Sequence, residues 1–218
     1  MLIVPPGCKI GEDSPTRNFY AFEQSVGLSP VKKEYLQGDL FTIEVEIPGK
    51  EMTDQTTGKS VEVGNATFNI SLDVFDPFVV MPDLEKFVLI PQTGVITGDE
   101  NFDKNGSAMI SFGCPAIGYY MKTGVQFKEK GGYLVYLNKA NLYPQIVFTS
   151  DEDCTLIKPN TVPPDEADIA TVHLTFAVGD SNRDKFDEYA AGFPGANVEL
   201  NSIRSALDNR EAFFVWVK

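Results

Sequence analysis

Histidine and tryptophan each occur once in this chain, and cysteine three times. These scarcities close off several chemistries. Structural zinc takes four closely spaced nitrogen or sulfur ligands, whereas His173, Cys8, Cys114 and Cys154 are scattered. A Ser-His-Asp or Cys-His site would have to use His173. That residue sits in an alternating strand pattern, TVHLTFAV, and no Gly-x-Ser-x-Gly elbow accompanies it. It reads as a solvated or hydrogen-bonded strand histidine. No apolar run reaches the roughly 18 residues that cross a bilayer as a helix. Basic clusters are missing too: Lys32-Lys33 is only a pair, beside Glu34. Lys plus Arg total 18 against 31 Asp plus Glu, a formal charge of −13. Such a surface repels phosphate backbones and anionic headgroups, which argues against nucleic acid as a partner. The glycine-rich pieces 131–132 and 192–195 lack the strand–glycine–helix order of phosphate loops. No cofactor is expected.

What the chain does have is large apolar side chains in alternation. Sixteen Phe and eight Tyr within a 43% apolar composition supply a core. Residues 31–48, VKKEYLQGDLFTIEVEIP, pass from a basic, polar start through Gly38-Asp39 into a strict period of two. Phe41, Ile43, Val45 and Ile47 share one face and Thr42, Glu44 and Glu46 the other, the pattern of a strand with one wet side. Further strands are expected at 19–26, 66–75, 84–90, 107–112, 145–149, 171–178 and 212–217. Residues 118–128 and 132–137 read as a hairpin across Glu129-Lys130-Gly131. The stretches 50–64, 93–104 and 151–168 read as loops. Between the last two strands the period changes. Ser181 would cap a helix over 182–191 that stops at Gly192, and a second helix would run from Asn201 or Ser202 to Asn209 with Ile203, Ala206 and Leu207 inward. Strands followed by a helical flap near 181–210 predict a mainly β sandwich with a small C-terminal appendage. Residues 113–117 are the place for a split into two sub-domains.

The first 18 residues, MLIVPPGCKIGEDSPTRN, have no periodicity and read as a flexible tether. They look like the end of a lipoprotein signal peptide, in which Cys8, after the small Gly7, is acylated. Pro5 and Pro6 depart from the usual Leu-then-small pattern, and Met1 leaves no room for a charged region and an apolar stretch. Either translation starts upstream or the match is accidental; the upstream start is the working expectation. Lipidation of Cys8 leaves Cys114 and Cys154 as an even pair, which an oxidising compartment would join; otherwise they are two buried thiols.

Three other constellations bear on function. Asn101, Asp103 and Asn105 alternate before Gly106 like the first half of an EF-hand calcium loop, but the position for a bidentate Glu holds Phe112. The competing reading is an Asn-Gly hairpin turn. Phe75, Phe78, Tyr119, Tyr120, Tyr136, Tyr143 and Trp216 are candidates for stacking on a sugar, against the plainer alternative that strand aromatics fill the core. Tyr119-Tyr120 is the best of these, because neighbouring strand residues point to opposite faces and one must face outward. Carboxylate pairs are inevitable among 31 acids; a hydrolase would need two of them opposed across a cleft, roughly 5–10 Å apart.

The stretches SPVKKEYLQGDLFTIEVEIPG and GNATFNISLDVF, with GVQFKEKGGYLVYL and the closing AFFVWVK, resemble uncharacterised Bacteroidetes cell-envelope lipoproteins. The resemblance spans most of the chain through loose motifs. It implies an immunoglobulin-like antiparallel β-sandwich, export, a lipid anchor at Cys8 and a location in the cell envelope, and it implies no catalytic residues. The functional expectation is a non-catalytic module that binds or scaffolds another macromolecule. The alternatives are a surface glycan-binding accessory protein of a polysaccharide uptake system and a carboxylate-dependent hydrolase.

Overall fold

Alternation in β2 (Leu40–Pro48) becomes a wall of the core: Phe41, Ile43, Val45 and Ile47 are all buried. The computed structural model describes residues 18–78, 86–93, 95–97, 106–113, 118–137, 145–149, 168–196 and 198–218. The other strands are β1 (Phe19–Ser29), β3 (Glu51–Thr53), β4 (Ser60–Glu62), β5 (Asn65–Phe75), β6 (Phe87–Thr93) and β7 (Val95–Thr97). They continue with β8 (Ser107–Gly113), β9 (Gly118–Phe127), β10 (Gly131–Leu137), β11 (Gln145–Thr149), β12 (Asp168–Phe176) and β13 (Ala212–Val217). The two described helices are α1 (Arg183–Ala190) and α2 (Leu200–Asp208). The described chain is mainly β, a sandwich of two packed sheets with a small C-terminal helical appendage.

In the first sheet β5 is central. β8 pairs along one edge of it and carries β7. Along its other edge β10 and β11 follow one another, and β13 pairs with β10 while β12 pairs with β11. The second sheet runs β1–β2–β9–β6. Strand β1 belongs to both. Phe19 to Val26 pair in parallel with β12, and Gly27 to Ser29 pair antiparallel with β2. The paired strands described are therefore antiparallel except β1–β12, and the isolated bridge between Tyr35 and Val217 is also parallel. The core between the sheets takes Phe68, Ile70, Leu72 and Val74 from β5, Tyr119, Met121, Val125 and Phe127 from β9, and Phe213, Val215 and Val217 from β13. It draws on residues from both sides of 113–117.

The expected hairpin of 118–128 with 132–137 does not form. β9 lies in the second sheet and β10 in the first, and residues 128–130 carry the chain between layers. The reason is burial: Gly132 to Leu137 are buried on both faces, which only a central strand permits. Tyr133 braces this corner, its hydroxyl donating to the Glu129 carbonyl at 3.1 Å. Three short strands were hidden in apparent loops: β3 and β4 in the polar 50–64, and β7 in the turn-rich 93–104. β7 and β8 pair antiparallel. Gly106 has φ +64°, and a Cβ there would lie 2.0 Å from the Val74 carbonyl oxygen.

The helices cover the outer face of β10 and β13. Phe186, Ala190, Ile203, Ala206 and Leu207 meet Leu134, Tyr136, Ala212 and Phe214 in a second apolar cluster. Full burial of a side chain such as Phe186 or Leu207 stabilises by about 2–3 kcal/mol. Asn182, just before α1, was expected to lie inside the helix. Its φ of +61° and ψ of 34° are left-handed, a conformation asparagine tolerates. Its buried Nδ2 donates to the Lys32 carbonyl at 2.7 Å and the Phe214 carbonyl at 3.0 Å. Lys33 also pairs with Asp180 and Asp184, but these partners are about half exposed, and such pairs contribute only about 0–1 kcal/mol. Tyr35 completes the junction. Its hydroxyl donates to the Pro30 carbonyl at 2.7 Å, its backbone N–H donates to the Trp216 carbonyl, and burial pushes its phenol up to about 12.

Asp54 fastens the β3–β4 hairpin to β1. Its carboxylate accepts from the backbone N–H of Ala21 at 3.0 Å and of Thr57 at 3.1 Å, and from the Thr57 hydroxyl at 2.6 Å. These bonds, led by that from Ala21, hold it at about 2, well below the usual carboxylate range. Thr123 is the opposite case: it is fully buried on the core face of β9, and its hydroxyl finds no partner among the described residues.

Three outcomes are expected from these contacts. Asn182→Ala loses two buried hydrogen bonds and strains the left-handed backbone, lowering stability by about 2–4 kcal/mol, whereas Asn182→Gly keeps the backbone and loses less; urea unfolding of both variants measures the difference. Thr123→Val removes an unpartnered hydroxyl at nearly constant shape and raises the urea midpoint, by about 1–2 kcal/mol in stability. Asp54→Asn is less stable than the parent at neutral pH. Because the folded pKa is depressed, that gap is full above the unfolded value of about 4 and closes as pH falls from there through about 2; acid titration of thermal midpoints checks it.

Candidate functional site

The second sheet turns its other face outward. There β2 contributes Leu40, Thr42, Glu44 and Glu46, opposite Gln126, Gly124, Lys122 and Tyr120 of β9. On the far side of β2, Gly27 of β1 lies opposite Glu44, and Ser29 opposite Thr42. Both described helices pack on the other sheet, and neither covers this face. The polar half of the β2 alternation thus becomes part of a four-stranded surface, polar across β1, β2 and β9 apart from Leu40 and more apolar at β6, where Val88 and Ile90 lie in register with Gln126 and Gly124. A groove of about 360 Å³ opens at its β1 margin, lined by Gln24, Ser25, Gly27, Leu28, Ser29, Thr42, Glu44 and Glu46. Lys122 Nζ stands 3.7 Å from Glu44 Oε2 on the β9 side, outside that lining. Gln24 Nε2 donates to the Ser25 carbonyl at 2.8 Å and the Glu46 carbonyl at 3.2 Å, bracing the groove where β1 changes sheets.

The two adjacent tyrosines separate as strand geometry demands. Tyr119 is 1% exposed and is a core residue, so it leaves the set of stacking candidates. Its hydroxyl donates to the Val63 carbonyl at 2.8 Å and to that of Gly64, and its ring lies 4.7 Å from Phe68. Tyr120 is half-buried on the outward face. Its partial burial, and after that the Glu44 and Glu46 carboxylates, push its phenol up.

The remaining described candidates, Phe75, Phe78, Tyr136 and Trp216, do not form a solvent-facing strip. Phe75, Phe78 and Trp216 pack against the second apolar cluster, and Tyr136 is buried in it. Trp216 is roofed by cations, with Lys218 Nζ 4.3 Å and Lys185 Nζ 5.5 Å from its ring. Glu34 holds both lysines, at 2.5 and 3.4 Å. Phe193 stacks on Phe78 at 4.5 Å. Beside them, burial pushes the Asp76 carboxyl up, against the pull of the Phe78 N–H and the Tyr189 hydroxyl that donate to it. His173 is half-buried on β12, in register with Glu23. Glu44 and Glu46 point the same way along one strand, so they do not flank a bond from opposite sides as the hydrolase reading requires.

Cys8, Cys114 and Cys154, the calcium candidates Asn101, Asp103 and Asn105, and Tyr143 lie outside the described residues. Among those described, no three His, Cys, Asp or Glu side chains are grouped to hold a metal ion, and no helix is long and apolar enough to cross a membrane. Sequence reasoning missed the groove itself. The polar residues of β2 signalled a wet face, but the contribution of Gln24, Ser25, Gly27 and Ser29 depends on β1 changing sheets, which no local pattern encodes.

No protein-family model matches this chain, and no curated protein matches it in sequence. Among solved structures it is similar to the second type II cohesin module of the adaptor ScaA scaffoldin of Acetivibrio cellulolyticus, with 13% identity over 64% of this chain and 91% of that one and a TM-score of 0.30. It is similar to the type II cohesin dyad of the same scaffoldin at 9% identity, over 72% of this chain and 49% of that one, with a TM-score of 0.29. A protein from Nocardia farcinica described as having an immunoglobulin-like fold matches at 8% identity, over 69% of this chain and 97% of that one, with a TM-score of 0.22. Likenesses this distant identify neither a family nor a ligand.

Proposed function

We propose that this chain is a non-catalytic module of the cell envelope that binds or scaffolds another macromolecule through the outward face of the β2–β9–β6 sheet. One observation carries the reading: that face is polar over most of β2 and β9, is grooved at its β1 margin and is covered by neither described helix, while the corresponding face of β10 and β13 is covered by both. A broad surface of exchangeable hydrogen-bonding groups with a shallow groove suits recognition of a folded partner. The tether through acylated Cys8 belongs to the same reading and follows the resemblance to Bacteroidetes lipoproteins. Downstream of it the sandwich begins at a fixed point, because the Asn18 N–H and Nδ2 both donate to Asp168, at 2.9 and 3.1 Å. Glycan binding is the weaker alternative. It needs an aromatic strip, and among the described candidates only Tyr120 stands on the open face.

Two readouts test the proposal in the producing cell. A photo-crosslinking amino acid at position 120 is expected to give discrete adducts that the same group at exposed position 202 does not; equal adducts at both, or none, overturn the binding face. Metabolic labelling with an alkyne fatty acid is expected to mark the chain and to vanish in Cys8→Ala; label that survives this change, or no label, removes the lipid tether.

A further inference from the structure

We infer that the groove at the β1–β2 margin is a seat for a cationic side chain, the ammonium of a lysine or the guanidinium of an arginine, presented by a protein partner and held over Gly27 between Glu44 and Glu46. The inference rests on the proposed binding face and names the chemistry that face recognises.

Gly27 supplies the first argument. Many glycines of this fold are fixed by a left-handed backbone or by close contact, as Gly106 and Gly132 are. Gly27 has neither constraint: a Cβ there would meet only the Glu44 carbonyl oxygen at 3.5 Å and the Glu44 Cβ at 3.8 Å, ordinary contacts. The backbone accepts a side chain, and the lack of one keeps the groove hollow.

The second argument is the balance of donors and acceptors. The lining holds two carboxylates, three hydroxyls and an amide, and no lysine or arginine. Gln24 has spent its Nε2 on two backbone carbonyls, so it offers the groove its oxygen. Lys122 neutralises Glu44 from the β9 side, whereas Glu46 makes no ion pair among the described residues. Neighbours two apart on a strand are separated by about 6.6 Å, a spread that a forked guanidinium or a three-proton ammonium can bridge. A phosphate or carboxylate ligand would meet repulsion and few donors. The formal charge of −13 also favours the approach of a cationic partner.

The test uses the whole chain and a fluorescein-labelled tetra-arginine peptide, followed by anisotropy at about 0.15 M salt, where long-range attraction is largely screened. Glu46→Gln removes charge and keeps shape. Gly27→Val fills the groove and keeps charge, and Gly27→Ala is the milder substitute should valine disturb folding. Glu129→Gln, an exposed acid on the 128–130 connection, reports bulk attraction alone. We expect Glu46→Gln and the Gly27 variant each to weaken binding about tenfold, the loss of one charge-assisted hydrogen bond, and Glu129→Gln to change it less than about twofold. Equal losses in Glu46→Gln and Glu129→Gln with no effect at Gly27, or no binding by the parent, overturn the seat. Binding of neutral cellohexaose that Gly27→Val abolishes, without peptide binding, overturns it in favour of a glycan. If position 120 still crosslinks a partner in any of these cases, the binding face stands and only the cationic seat falls; if it does not, both fall.

Discussion

Strand β1 has to satisfy two sheets at once, and the rest of the molecule is arranged around that constraint. Its first eight residues lie parallel to β12 and its last three antiparallel to β2. Phe22 and Val26 face the core before the change of partner, and Leu28 packs against the same core after it. The strand thus joins the two layers along one side by hydrogen bonding first to one sheet and then to the other. It also leaves a seam, where the sheets part and the groove lies. Asp54 holds the hairpin that flanks the first half of β1, and Gln24 ties the strand to the backbone of β2 at Glu46. The position of the groove is therefore a consequence of sandwich closure.

Much of this was legible in the sequence, and the failures have two physical causes. Strict alternation at β2 and β5 specified both the strands and their buried faces, because a period of two admits one solution once one face is apolar. The helices were legible from their change of period, and Ile203, Ala206 and Leu207 are buried as that spacing requires. What failed was partner choice. Residues 118–137 contain two good strands and a short glycine-containing link, and the local signal for a hairpin is real. The competing term is non-local: β10 is apolar on both faces and gains more from a central place between β5 and β13 than from pairing with β9. Three-residue strands such as β7 carry too few side chains to show a period at all. The calcium and disulfide expectations fall on residues outside the described set, and the Tyr119-Tyr120 pair resolved by parity alone, with no local rule to say which ring would be inside.

The helical appendage shows how specificity can reside in a few polar atoms within an apolar contact. Phe186, Leu207 and Phe214 are fully buried there, but apolar packing is indifferent to small rotations. Asn182 is not, since one amide group must reach the carbonyls of Lys32 and Phe214 together. Tyr35 imposes a similar condition on the neighbouring loop through its hydroxyl and its backbone bonds to β13. The surface ion pairs around Lys33 and Glu34 add little stability by comparison. The Glu34 pairs have a more specific effect, since they hold Lys185 and Lys218 over the Trp216 ring. A tryptophan so covered is no longer a platform for a sugar ring, which is why a residue type often associated with glycan binding argues here for structure.

The asymmetry between the two outer faces is the strongest link from fold to function. On the first sheet, β10 and β13 carry large apolar side chains outward, and helices must cover them or the chain would expose an adhesive surface. On the second sheet, β2 and β9 carry Thr42, Glu44, Glu46, Tyr120, Lys122 and Gln126 outward, with Leu40 and the β6 residues Val88 and Ile90 the smaller apolar part, so the need for cover is less. A face that is already polar needs no groove to remain in water. The hollow at Gly27 adds nothing to packing, since the backbone there accepts a side chain, and a β-branched residue would strengthen the strand. An unfilled position on an acceptor-rich face that neither described helix covers fits the proposed seat better than any demand of packing.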